Sequence, residues 1–419
     1  IPVMGTGFTI DTPLKVARYG ISSVVSLVDD TLIEQMRKFH CEKSGEPYEE
    51  ISAHQEDVRA RRITAYLNLL DRLVNNQVTA MRAAPFQKGS DICRYFELLP
   101  DCAEKAAYLD MLATTDETAR SLKQNNLRKM IVPGAIDVNI MTKLDRAIYK
   151  NGEKLPIESN DAMAALRGFA KSTLSSSMVF SAGLNQHLYT YAASFPDFFP
   201  SASLAPRKKI TLKVSDFRSA LIQGKFLAKR GLWVSEFRIE SGLNCGGHAF
   251  ATKGFLVGPI LEEFKNKRVE LIETLHSMYN DARAGMNLPP FENPLEVRIT
   301  AQGGIGTFDE DRLLLNYYEI HATGWGTPFL LVPEVTNVDD ELLGDLSAAT
   351  ENEVYLSDSS PLGVPFWNLR TSGSEKARRK RIAEGAPGSA CPKGHLVFNT
   401  EFTKTPICVA SRLYQQLKL

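Results

Sequence analysis

The chain has no apolar run approaching the ~18–20 residues that a membrane-crossing helix needs, so a spanning segment is excluded on that ground. It has no excess charge of either sign. Lys plus Arg and Asp plus Glu stand at 49 each, which leaves no global field to gather nucleic acid or a charged membrane. Cysteine is scarce, with 6 in 419 residues. That is too few for a disulfide framework and points to a reducing, cytoplasmic setting. No solenoid repeat is visible. The dinucleotide fingerprint, Gly-x-Gly-x-x-Gly between a strand and a helix with an acidic residue further on, is missing as well. The numbering opens at Ile1 with no initiator Met, so the N-terminus is silent on targeting.

What remains is an ordinary globular composition, 43% hydrophobic and 23% charged. The length suits two average domains or one large barrel with insertions. Residues 1–29 give a strand–helix–strand signal: Ile1–Met4, a Gly5-Thr-Gly7 turn, a helix opening at Asp11-Thr12-Pro13 and ending at Gly20, then a β-branched strand over Ser22–Val28. Residues 30–128 are polar and helical in pattern, for example Val58–Leu70 and Cys102–Leu112, and read as an insertion or cap. Strand signals resume over 129–335. They fall at Lys129–Val132, Ala135–Ile140, Met178–Ser181, Lys209–Val214, Leu232–Glu240, Leu295–Ala301 and Glu319–Thr323. Helices are expected between them at Ala162–Lys171, Asp216–Ala228, Pro259–Ala284 and Asp309–Tyr317. Residues 336–419 form an irregular extension.

Two glycine-rich turns carry the strongest chemical signal. Arg298-Ile-Thr-Ala-Gln-Gly-Gly-Ile-Gly-Thr307 and Thr323-Gly-Trp-Gly-Thr-Pro-Phe-Leu330 each read as a strand opening into a turn. Glycine is required where backbone amides approach a ligand or take φ > 0, and successive amides make an anion site. The loops after the seventh and eighth strands of a (β/α)8 barrel commonly share one phosphate site. The competing reading is two turns of another α/β fold. A second constellation is Asn244-Cys-Gly-Gly-His248, just after an expected strand. Gly246 and Gly247 would admit a planar ligand, and His248 suits proton transfer beside it. The alternative is a loop histidine bonded to a neighbouring carbonyl.

These segments together resemble the nitronate monooxygenase family of FMN-dependent (β/α)8 barrels, which includes flavin-dependent enoyl-ACP reductases. Pro2-Val-Met-Gly-Thr-Gly with Thr12-Pro13-Leu14 is similar to the family's first strand and helix, which places Gly5, Thr6 and Gly7 over the flavin. Asp137-Val-Asn-Ile140 resembles the strand whose Asn, here Asn139, contacts the flavin. Gly242-Leu-Asn-Cys-Gly-Gly-His248 resembles the loop whose histidine is the base. Ala301-Gln302-Gly-Gly-Ile-Gly306 and Gly324-Trp-Gly-Thr-Pro-Phe329 resemble the two phosphate turns. The resemblance implies that Gln302, Gly303, Gly304, Gly324, Gly326 and Thr327 line the phosphate site. Strand order puts Lys213 either at the ring or on the surface.

The resemblance therefore implies an α/β chain folded as a (β/α)8 (TIM) barrel with a large helical insertion and an irregular C-terminal extension. It implies non-covalent FMN and an oxidoreductase acting on a small organic substrate, nitronate monooxygenase-like. The alternatives are an enoyl-thioester reductase-like enzyme or a non-catalytic FMN- or phosphate-binding subunit of a complex. An acyl carrier or an electron-donor protein is the expected kind of partner, with no nucleic acid and no membrane. Three departures from the family stand out: the segment 30–128, the Asn244-Cys245 pair, and everything past residue 335. Cys245, Cys391 and Cys408 are readable as iron–sulfur ligands, Cys391 with His395 as half a zinc site, or all as free thiols, and the free-thiol reading, with no metal, is the expectation. The basic run Lys376–Arg381 reads as a nucleic-acid or localisation patch or as a solvated helix face, and the helix is expected.

Overall fold

The computed structural model of the chain describes residues 6–150, 153–181, 183–200, 205–241, 256–357, 366–388, 397, 399–409 and 411–419. Among these, seven strands form one sheet whose spatial order is their chain order. They are β1 (Ser23–Ser26), β2 (Ile136–Met141), β3 (Ser176–Ser181), β4 (Lys208–Val214), β5 (Val234–Ile239), β6 (Arg298–Gln302) and β7 (Ala322–Gly324). Every neighbouring pair is parallel. Parallel neighbours need crossovers, and helices supply most of them: α6 (Asp161–Ala170) before β3, α7 (Phe217–Ala228) before β5, α8 (Val257–Gly285) before β6 and α9 (Phe308–Asn316) before β7. The strand expected at Ile1–Met4 lies outside the described residues, as does most of the loop between β5 and α8.

Side chains alternate across each strand. One set, including Val138, Ile140, Phe180, Leu212, Phe237, Ile239 and Ile299, is buried with the apolar faces of the flanking helices in one continuous core. Phe237 and Phe217 both meet Phe264 of α8, with ring centroids 6.3 and 5.2 Å apart. Burying a side chain such as Phe237 contributes about 1.5–3 kcal/mol. The alternate set is polar and is described with the site.

Five helices lie between β1 and β2: α1 (Asp30–Ser44), α2 (Val58–Ala83), α3 (Asp91–Leu98), α4 (Ala103–Ala113) and α5 (Glu117–Met130). Their apolar residues Ile63, Tyr66, Leu67, Leu70 and Val74 belong to the same core as the sheet. The join is close. A Cβ added to Gly168 of α6 would come within 2.8 Å of Ile63 on α2, so only glycine lets these two helices approach. The strand expected at Lys129–Val132 is not formed. Lys129 and Met130 close α5, and Ile131 beyond it is fully buried. A short apolar run looks the same at a helix end as in a strand.

After β7 the chain passes through a 3-10 turn, Thr327–Leu331, and returns to its own beginning. The Asn337 N–H donates to the Phe8 carbonyl at 3.0 Å, and the buried Thr12 hydroxyl donates to the Val335 carbonyl at 2.7 Å. Further on come a helix Asp340–Ala348, an antiparallel pair Val354–Ser357 with Phe366–Leu369, and a helix Gly373–Ala383. The basic run lies on that last helix, with much of its charge already matched. Buried Glu375 accepts from Arg378 and Arg379 at 2.7 Å each, and Lys376 pairs with Glu341 at 3.0 Å. No described helix is long and apolar enough to cross a membrane.

Candidate functional site

The polar set of strand side chains forms two layers. The lower layer sits near the amino ends of the strands. Glu236 of β5 accepts from the Thr300 hydroxyl of β6 at 2.6 Å and from Arg238 Nε, two residues along its own strand, at 2.8 Å. Asp137 of β2 is buried beside them and accepts the Ser177 N–H at 2.8 Å. Burial raises the Asp137 carboxyl to about 6, and Glu236 adds to the rise against the opposing pull of Arg238, the Ser177 N–H and Arg298. Burial also acts to raise Glu236, but the Arg238 guanidinium and the Thr300 hydroxyl outweigh it and hold Glu236 below the usual range. Asp137, Glu236 and Arg298 line a cavity of about 720 Å³ at this end, with Ser177, Lys209 and Trp233.

The upper layer sits at the carboxyl ends, where open and closed parallel sheets alike place their ligands. Glu240, just past β5, is the bridge. It takes Lys213 Nζ of β4 at 3.0 Å on one oxygen and Gln302 Nε2 of β6 at 2.6 Å on the other. Lys213 and Glu240 are 15% and 9% exposed, which makes this a largely desolvated pair. Lys213 is therefore not a surface lysine. Asn139 occupies the same sheet face as Asp137 by alternation, is half-buried, and is level with Ser26 and Val179.

Beside Gln302 the two glycine turns meet. Gln302 and Gly324 are register partners, and the Gly303 N–H donates to the Gly324 carbonyl at 3.2 Å. Gly303 and Gly304 take φ of +79° and +73°, a left-handed pair that side chains resist. No atom stands within 4 Å of where a Gly304 Cβ would lie, so the turn faces open space. Gly326 precedes the 3-10 turn that begins at Thr327, and Thr327 is exposed. The helix behind the first turn, α9, is closed by its own residues. Glu310 accepts the Gly306 and Thr307 N–H groups at 2.7 and 3.0 Å, and Thr307 caps the Glu310 N–H in return. With Asp309, Glu310 and Asp311 in its first turn, the dipole of this helix is already met by carboxylates. An anion at this corner would be held by the glycine turns ahead of the helix.

The first loop is partly in view: Thr6 opens a short helix, Thr6–Thr9, and Gly7 is exposed. Gly5, Gly246, Gly247 and His248 lie outside the described residues, as do Cys245 and Cys391. Cys408 is buried. No group of three or more metal-type side chains converges among the described residues.

Sequence reading missed Glu240, Glu236, Arg238 and Asp137 as members of the polar layers. A signal was present. Glu236-Phe-Arg238-Ile-Glu240 alternates charged and apolar residues at strand period, which marks a strand with one polar buried face.

No known family model and no curated protein matches the chain. Solved structures that bear a distant likeness include the following two. One is a mutant of FabK from Thermotoga maritima, 13% identical, TM-score 0.31, covering 73% of this chain and 81% of that one. The other is the enoyl reductase domain of MlnA from the macrolactin biosynthesis cluster of Bacillus amyloliquefaciens. It is 13% identical with TM-score 0.37, and covers 68% of this chain and 60% of that one. Likeness at this level leaves function to rest on the geometry of the chain itself.

Proposed function

We propose that this chain is an FMN-dependent oxidoreductase acting on a small organic substrate, of the nitronate monooxygenase kind, built on a (β/α)8 barrel whose eighth strand is Ile1–Met4. The return of residues 335–337 to Phe8 and Thr12 supports that closure, because it brings the chain beyond the last strand against the helices that follow the first. The observation that carries the functional reading is the abutment of the two glycine turns through the Gly303–Gly324 hydrogen bond at 3.2 Å. Two glycine-bearing strand ends thereby meet at one corner, and the left-handed pair Gly303 and Gly304 of the first gives the backbone form that suits a phosphate group.

In this reading Gly303, Gly304, Gly324, Gly326 and Thr327 hold the phosphate. Asn139, Lys213 and Gln302 face the ring side, with Gly5, Thr6 and Gly7 over it. Lys213 and Gln302 are preorganised for that role, since Glu240 fixes both ends at hydrogen-bonding distance. Bound flavin supplies the capacity to take up or release electrons in pairs or singly. His248, with Gly246 and Gly247 beside it, holds or moves the substrate proton.

The test is the ultraviolet–visible spectrum of the purified protein with mass spectrometry of the heat-released ligand. FMN at near one equivalent is expected; FAD alone, or no nucleotide after incubation with FMN, overturns the reading. Assays with an alkyl nitronate under air, and with an enoyl thioester plus reduced nicotinamide, then separate oxidation from thioester reduction. His248→Ala should retain flavin and slow flavin reduction by substrate about 10²–10⁴-fold.

A further inference from the structure

A second cavity lies at the seam between the helices inserted before β2 and the start of the chain, sharing Ile21 with the cavity at the amino end of the sheet. It has a volume of about 950 Å³, the upper end of the range for small-molecule sites. Its walls come from the short helix Thr12–Val16, the last turn of α1, the middle of α2, α3, and the returning segment 332–335. Leu14, Leu73, Leu98 and Val335 contribute apolar surface. The charged lining is lopsided: Lys15, Arg18, Lys43 and Arg94 stand against the carboxylates of Asp11 and Glu334.

One of those two carboxylates is already engaged. Asp11 accepts from Asn337 Nδ2 at 2.6 Å and has His40 Nε2 at 3.3 Å. The positive charge is also crowded. Burial lowers the Lys15 ammonium, and although Asp11 opposes the shift, nearby Lys43 lowers it further. Among the buried polar atoms of the lining, Arg18 Nε has Asp91 Oδ2 at 3.6 Å and His40 Nε2 has Asp11 Oδ2 at 3.3 Å, while Gln77 Oε1 makes no hydrogen bond among the described residues. Buried polar atoms are nearly always satisfied, and Gln77 Oε1 is an acceptor that water entering the cavity can meet.

We propose that this seam is a binding site for a single-chain amphiphilic anion, a carboxylate or phosphate monoester head on an aliphatic chain. The head is met by Lys15, Lys43 and Arg94, and the chain lies along Leu14, Leu73 and Leu98. The site is separate from the glycine turns and does not depend on the flavin reading. Occupancy would add a contact between the inserted helices and the start and returning segment of the chain, which side-chain bonds such as Gln77 Nε2 to the Leu14 carbonyl and Lys15 Nζ to Asn337 Oδ1 already join.

Isothermal titration calorimetry of the 419-residue chain with saturating FMN present tests this, using octanoate, octyl phosphate and octan-1-ol. Saturable binding of either anion, at least tenfold tighter than octan-1-ol, is expected, and the tighter of the two identifies the head. Lys43 and Arg94 are exposed, so Lys43→Glu with Arg94→Glu should leave the circular dichroism and the melting temperature in place while weakening the anion at least tenfold. Equal binding of the alcohol, no saturable binding of either anion, or full affinity in the double variant would overturn the proposal. Because FMN content is measured on the same samples, failure here is distinguishable from failure of the flavin reading.

Discussion

The two ends of the sheet use the same residue types to opposite effect. At the amino ends, Glu236, Arg238, Thr300 and Asp137 form a layer in which most charge is answered from within, with a carboxyl raised to about 6 as a misfit. At the carboxyl ends, Glu240 also answers two partners, and beside them the backbone bends into left-handed glycines with open space ahead. The lower layer spends its polar groups on one another. The upper layer pairs its side chains too, but it ends in a glycine turn that faces open space. Stability should therefore depend mainly on the first and ligand binding on the second.

The largest expected effect comes from breaking the lower layer. Glu236→Leu would strand Arg238, which is 3% exposed at its side chain and paired at 2.8 Å, and would leave the Thr300 hydroxyl without its acceptor. Removing one member of a buried pair costs about 3–5 kcal/mol. Urea unfolding should show a loss of that size, while flavin bound per folded molecule stays constant. A loss below 1 kcal/mol would mean the lower layer is not the structural one.

Glu240→Leu is the matching cut above. The pair it breaks lies nearer solvent, so a smaller loss is expected, about 2–3 kcal/mol. Here the flavin should respond as well, with weaker binding and a shifted absorption band, because Lys213 and Gln302 lose their common anchor. If the two variants behave alike in both readouts, the proposed division of labour between the ends fails.

How far the sequence announced all this follows from the range of the interactions. The strands from β2 to β7 lie close to their expected places because β-branched and apolar runs at period two are local signals, and the glycine turns stand out because φ > 0 is a local demand. The polar layers depend on register. That Glu236 meets Thr300, and Glu240 meets both Lys213 and Gln302, follows from how β4, β5 and β6 align, and no window along the chain contains that alignment. The strand expected at Lys129–Val132 failed for a related reason. Its buried member, Ile131, satisfies a helix-end contact and a strand contact equally well in sequence. The partners of Lys376–Arg381 show the same limit, since Glu341 is thirty-five residues away from Lys376 in the chain.

Asp137 sharpens the comparison through pH. Its carboxyl is raised from the ordinary 3.8 to about 6 in the folded chain, so between those values the native state binds more protons than the unfolded one. Stability is then lost as pH rises through that window, and the penalty is complete above it. About two units correspond to roughly 3 kcal/mol as an upper figure. Asp137→Asn keeps an oxygen for the Ser177 N–H and removes the penalty, so it should stabilise the chain by up to about that amount at pH 8. The gain should shrink toward zero near pH 4. A gain independent of pH in urea melts would assign the effect to something other than the buried charge.

The smallest expected effect on stability is also the most direct probe of the upper corner. Gly304 has φ of +73° and nothing within 4 Å of the place a Cβ would take, so the space itself would accept a side chain. The cost of Gly304→Val is conformational: a β-branched residue in the left-handed region loses about 1–2 kcal/mol. The turn either endures that strain, with isopropyl carbons filling the corner, or relaxes to negative φ and turns its amides away. Both outcomes remove the phosphate's donors while the apolar face of β6, with Ile299 and Ala301 buried behind it, stays packed. The expected result is a melting temperature lowered by a few degrees together with at least a tenfold loss of FMN, read by equilibrium dialysis. Full FMN occupancy in a variant with that small shift in melting would place the phosphate elsewhere on the chain. Gly304→Ala separates strain from bulk, since it brings most of the strain with a single methyl group, and an intermediate affinity is expected if both contribute.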